Sequence, residues 1–131
     1  MNKHVIEILY TERCRFLSVA LERVREALSR RAGFDAEVRL VLVGTFAEAV
    51  TRRFRGSPTV RLDGEDVETT PGAVAPIGLL GRGYIVDGRV ERAPTMEVIE
   101  HAFERVTFAE LARSTSVRRS AESSGSYPVA F

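Results

Sequence analysis

His4-Val5-Ile6-Glu7-Ile8-Leu9-Tyr10-Thr11-Glu12-Arg13-Cys14 is the stretch on which the fold turns. Seven residues rich in β-branched and apolar side chains read as a buried strand, and Thr11-Glu12-Arg13 is a polar turn. From Cys14 the period changes: Leu17, Leu21, Val24 and Leu28 recur at three- and four-residue steps. This predicts an amphipathic helix of about five turns, ended by Gly33 in the position of a left-handed cap. Outward from this unit the alternation continues. Glu37 to Val43 is a second strand, and Thr45 to Glu48 is a capping box. Phe46, Ala49, Val50 and Phe54 give the following helix its apolar face, and Gly56 lies past its end. Thr59-Val60-Arg61-Leu62 is a third strand closing at the Asp63-Gly64 turn. Residues 64 to 83, rich in Gly and Pro, read as a long loop. Tyr84-Ile85-Val86 is a fourth strand, with Asp87-Gly88 a hairpin turn and Val90 the start of a short return strand.

Pro94-Thr95 opens a helix carrying Met96, Ile99, Ala102, Phe103 and Val106, and a second capping box at Thr107 to Glu110 predicts a separate short helix. Ser114 to Ser126 holds six Ser, one Thr and two Arg in thirteen residues, the composition of a flexible tail. The division expected is thus residues 1–106 as the folded domain, then 107–131 as short helix and Ser-rich tail, which either folds over the Cys14 groove with Tyr127 or Phe131 as anchor or swaps onto a neighbour to build a dimer. Strand–helix alternation requires crossovers and a parallel start to the sheet. A three-layer α/β/α sandwich with a mixed sheet of four or five strands satisfies it.

The chain has 131 residues, 44% hydrophobic and 28% charged, with a formal charge of +1. That suits a single globular domain and gives no pull towards nucleic acid or an anionic membrane. No apolar run reaches the roughly 18 residues a spanning helix needs, and Met1 to Glu7 lack the signature of a signal peptide. Cys14 is the one cysteine, so internal disulfides and Cys-rich metal sites are excluded. A cytoplasmic, reducing location is the expectation. His4 and His101 lie far apart with no clustered ligands, and Gly81-Arg82-Gly83 lacks the remainder of a phosphate loop.

Val5 to Thr11 followed by Cys14 resembles the first strand and active-site loop of small bacterial thioredoxin- and glutaredoxin-like proteins. Gly56-Ser57-Pro58-Thr59-Val60 is similar to the segment that places a cis-proline beside the active-site cysteine in that superfamily, and Leu62-Asp63-Gly64 to the turn after it. The resemblance covers about residues 3 to 105. It implies a thioredoxin-like fold with Cys14 as nucleophile, Ser57, Pro58 and Thr59 as a platform for substrate backbone, and Arg13 and Arg15 flanking the thiol. A thiol starting a helix meets free backbone amides as well as these guanidinium charges, a setting that suits a nucleophile. Two departures matter. Leu17 stands where dithiol members have their second Cys, and Gly78 to Arg82 has none. The chemistry implied is single-thiol exchange, with no resident cofactor and with glutathione or another small thiol as co-substrate, acting on a protein or peptide thiol or disulfide. The alternative is a redox-inactive binding module of the same fold, as a homodimer in one version.

Overall fold

The computed structural model describes residues 3–69 and 76–126, with side chains described as far as 115. Among the described residues the elements are β1 (His4–Tyr10), α1 (Leu17–Ser29), β2 (Ala36–Leu42), α2 (Phe46–Arg52), β3 (Arg55–Ser57), β4 (Thr59–Leu62), β5 (Glu65–Asp66), β6 (Gly78–Gly81), β7 (Tyr84–Val86), β8 (Arg89–Glu91) and α3 (Met96–Ser126). The main sheet has the order β2-β1-β4-β5 and is mixed: β1 runs parallel to β2 and antiparallel to β4. β3 pairs with β6, and β7 with β8, as two small ribbons. The whole is a mixed α/β architecture compatible with an α/β sandwich.

Strand geometry sends alternate side chains to opposite faces, and the two faces of β1 divide accordingly. Ile6 and Ile8 join Ala20, Val24 and Ala27 of α1 and Ile99, Ala102 and Phe103 of α3 in one core. Leu9 joins Val43, Ala49 and Phe54 in a smaller one under α2. Tight turns follow the glycines. Asp63 and Gly64, with φ of 52° and 87°, link β4 to β5, and Asp87 and Gly88, with φ of 50° and 78°, link β7 to β8. Both central residues in the left-handed region mark the hairpin turn that Asp-Gly favours.

Several expectations are corrected. α2 buries Ala49, but Phe46 and Val50 point to solvent at 61% and 50% exposure, because the small cluster beneath takes only Ala49 from the helix and fills its remaining space with Phe54 from beyond the helix end. Its left-handed cap is Arg53, with Gly56 past the helix end as expected, and the Thr45 cap also forms, the Glu48 amide donating to Thr45 Oγ1 at 3.1 Å. The stretch read as a loop contains β5 and β6; residues 70–75 lie outside the described residues. α3 is one helix of 31 residues, with no break at Thr107. The Thr107 hydroxyl donates to the Phe103 carbonyl at 2.8 Å, a bond within the helix that replaces the cap role. Ser114 to Ser126, read as a flexible tail, continues that helix, and Tyr127 to Phe131 lie outside the described residues.

Candidate functional site

Cys14 sits in the connection between β1 and α1, half-buried, as a free thiol. Its backbone amide donates to the Thr11 carbonyl at 3.1 Å, closing a turn. Because that turn is completed before the helix begins, α1 starts at Leu17 with Phe16 as its N-cap. The thiol therefore precedes the helix end by two residues instead of occupying it, which corrects the expected placement. Arg13 and Arg15 flank it and are exposed, with no ion-pair partner among the described residues.

The second half of the site comes from the β3–β4 corner. The Ser57–Pro58 peptide is cis. The Ser57 hydroxyl accepts a hydrogen bond from the Thr11 amide at 2.9 Å. One bond thus ties the proline corner to the residue whose carbonyl closes the Cys14 turn, bringing Cys14, Ser57 and Pro58 into one neighbourhood.

Thr59 is drawn elsewhere. It lies opposite Leu9 in the β1–β4 ladder. Ladder bonds recur at every second pair of an antiparallel ribbon, and one runs from the Asp63 amide to the Val5 carbonyl. The Thr59 backbone is therefore turned towards Leu9. Its hydroxyl donates to the Gly56 carbonyl at 2.6 Å and accepts from Arg82 Nη1 at 3.0 Å. The Ser57 carbonyl accepts from the Arg82 amide at 2.9 Å. Of the platform expected at residues 57 to 59, much is thus engaged by the chain's own β1 and by the segment after β6.

Arg82 itself was not singled out by the sequence for any role, and it is the centre of the corner. Only 3% exposed, it donates to Asp66 Oδ2 at 2.6 Å as well as to Thr59, and its guanidinium lies 4.6 Å over the Tyr84 ring. Burial alone would lower its pKa; Tyr84 and Asp66 outweigh that and raise it. The Tyr84 hydroxyl donates to the Pro58 carbonyl, and burial pushes its pKa well above the ordinary phenol value, against the pull of Arg82. The signal that could have found Arg82 is its place among glycines after an apolar pair, Leu79-Leu80, but no local pattern reveals its partner Asp66.

A second polar cluster closes the far end of β1. His4 is buried between two carboxylates, with Nδ1 at 2.7 Å from Asp63 Oδ2 and Nε2 against Glu110 Oε1. Its ring stacks on Phe34 at 4.6 Å, and Phe34 stacks on Phe103. A surface cavity of about 370 Å³ beside it is lined by Leu62, Asp63, Ala102, Arg105 and Arg113 and does not include Cys14. Among the described residues no group of three or more His, Cys, Asp or Glu is placed to hold a metal, and no helix is long and apolar enough to cross a membrane. No known protein family, curated protein or solved structure matches the chain.

Proposed function

We propose that the chain is a thioredoxin-like three-layer α/β/α protein that carries out single-thiol exchange at Cys14. The observation that carries this reading is the bond from the Thr11 amide to the Ser57 hydroxyl, which sets the cis Ser57–Pro58 corner beside the turn bearing a free, half-buried cysteine. The strand order β2-β1-β4-β5 and the two unequal cores on opposite faces of β1 support it. In the reaction, the Cys14 thiolate attacks one sulfur of an external disulfide. A mixed disulfide forms at Cys14 and the other sulfur leaves as a thiolate. With Leu17 in place of a second Cys, a thiolate from glutathione or a protein attacks the mixed disulfide, forms a new external disulfide and returns Cys14 as thiolate. Arg13 and Arg15, exposed on either side of Cys14 in the chain, would attract a carboxylate of such a partner.

Incubation of the native protein with oxidised glutathione, followed by intact mass, tests this. Gain of one glutathionyl group, its release by reduced glutathione, and loss of both in Cys14→Ser are the expected results. A protein that takes up no glutathionyl group while folded, yet does so once denatured, overturns the exchange reading.

One observation favours a second reading, a redox-inactive binding module. The Ser57 carbonyl and the Thr59 side chain are already engaged by Arg82, leaving less of the corner for a substrate backbone. On that reading Cys14→Ser leaves partner binding unchanged.

A further inference from the structure

The four-stranded sheet carries a row of alternating charge on its α2 face. Asp66 of β5 lies opposite Arg61 of β4, Arg61 opposite Glu7 of β1, and Glu7 opposite Arg39 of β2. Each strand thus presents to its neighbour the opposite sign, an arrangement that stabilises cross-strand pairs. The row stops at Arg39 because β2 is the sheet edge.

That edge has no steric block. β2 is seven residues long, contains no Pro or Gly, and exposes Leu40 and Leu42 at 48% each. Natural sheets blunt such edges with short strands, bulges, prolines or charges; β2 has only the last, as one acid and one base, Glu37 and Arg39, whose opposite signs can pair across an edge instead of repelling. Its hydrogen-bonding groups also have a definite direction. The Asp35 carbonyl accepts from the His4 amide, and the Val43 amide donates to the Tyr10 carbonyl. In a parallel ladder such bonds recur at every second residue, so Ala36, Val38, Leu40 and Leu42 turn their amides and carbonyls outward.

We propose that β2 pairs with β2 of a second copy of this chain, antiparallel and about a two-fold axis at Val38, joining the two sheets edge to edge. Charge selects this register. With Val38 opposite its own symmetry mate, Ala36 and Leu40 pair through their outward backbone groups, and Glu37 of each copy faces Arg39 of the other. The alternating row then gains its fifth member, Glu37 of the second copy beside Arg39. Shifting the axis to residue 39 sets Arg39 against Arg39, and shifting it to 37 sets Glu37 against Glu37 at the centre and gives Arg39 only Asp35, one residue outside the strand, as a partner. An axis at Leu40 leaves both charges opposite apolar residues. Within one chain Arg39 already bonds Glu37 at 2.9 Å, and its guanidinium has donors to spare for a second carboxylate. The isologous contact closes on itself as a dimer and leaves no free β2 edge. It does not depend on Cys14.

Sedimentation equilibrium of the whole chain under reductant, from about 1 to 500 μM, tests the pairing without interference from disulfide linkage. The wild type is expected to dimerise, and more weakly as salt is raised. Glu37→Arg and Arg39→Glu each turn two attractive contacts per dimer into repulsive ones and should weaken it about tenfold or more. The double variant E37R/R39E exchanges the signs and should recover dimerisation to within a few-fold of wild type. Both side chains are about half exposed, so folded monomers persist, as circular dichroism would verify. A wild type monomeric throughout overturns the proposal. So does a dimer indifferent to either reversal, or a double variant no better than the singles.

Discussion

On the α1/α3 face of the sheet, twelve buried residues from Ile6 to Phe103 form one continuous apolar core. On the α2 face four do so, and arginines complete the packing. Arg61 donates to the Arg52 and Arg53 carbonyls at the end of α2, at 2.7 and 3.2 Å, and Arg82 joins Thr59 to Asp66. Apolar burial is non-directional and tolerates small shifts, whereas a buried guanidinium is stable only when its partners stand in the right places. The first face therefore holds the domain together, and the second fixes the geometry of the corner at Ser57 and Pro58.

The largest test of this contrast is Phe103→Ala, which removes a ring 1% exposed that stacks on Phe34; a loss of about 3–5 kcal/mol in denaturant unfolding is expected. Phe54→Ala on the α2 face should fall at or below the low end of that range, and an equal loss would show the two faces to be equally cooperative. Next comes Arg82→Met, which keeps the stem but removes the cation that Asp66 and the Thr59 hydroxyl share. We expect about 3 kcal/mol, together with increased hydrogen exchange at Thr11 if the corner loosens with it. An unchanged corner would mean that the apolar cluster alone positions Ser57.

Tyr84→Phe is the smallest change, about 1 kcal/mol at neutral pH from the lost bond to the Pro58 carbonyl. It carries a pH signature. The phenol pKa is raised above its ordinary 10.0 by burial, so the folded state holds its proton when the unfolded chain has lost it. The resulting stability is complete below pH 10 and declines above it, by up to about 1.4 kcal/mol per pH unit from this group. In Tyr84→Phe that alkaline decline should be reduced by this contribution. An identical slope in wild type and variant would show that Tyr84 ionises as freely folded as unfolded.

The difference between the faces also explains what was legible in the sequence. β1, α1 and the first half of α3 declare themselves through apolar periodicity, and the turns at Asp63-Gly64 and Asp87-Gly88 through backbone chemistry. The α2 face is written in polar residues whose partners are distant in sequence, so Arg82 passed as part of a glycine-rich loop. β6 was missed for the same reason, because its partner β3 is a three-residue strand with no pattern of its own. Thr107 misled because Thr and Glu at three-residue spacing suit both a cap and a helix interior. At the candidate site, Cys14, Ser57 and Pro58 were legible as residues, while the turn that separates Cys14 from the start of α1 depends on one backbone bond to Thr11.

Gly56 has a φ of +109°, and a Cβ there would stand 3.0 Å from the Arg82 Cβ and 3.1 Å from the Leu80 carbonyl oxygen. The paired strands β3 and β6 approach at that point with room for a hydrogen atom and nothing more. Ancestry should leave its mark here more durably than in the apolar positions, where one hydrophobic residue can replace another. A descendant of the same ancestor, drifted beyond recognition elsewhere, is expected to keep glycine two places before its proline.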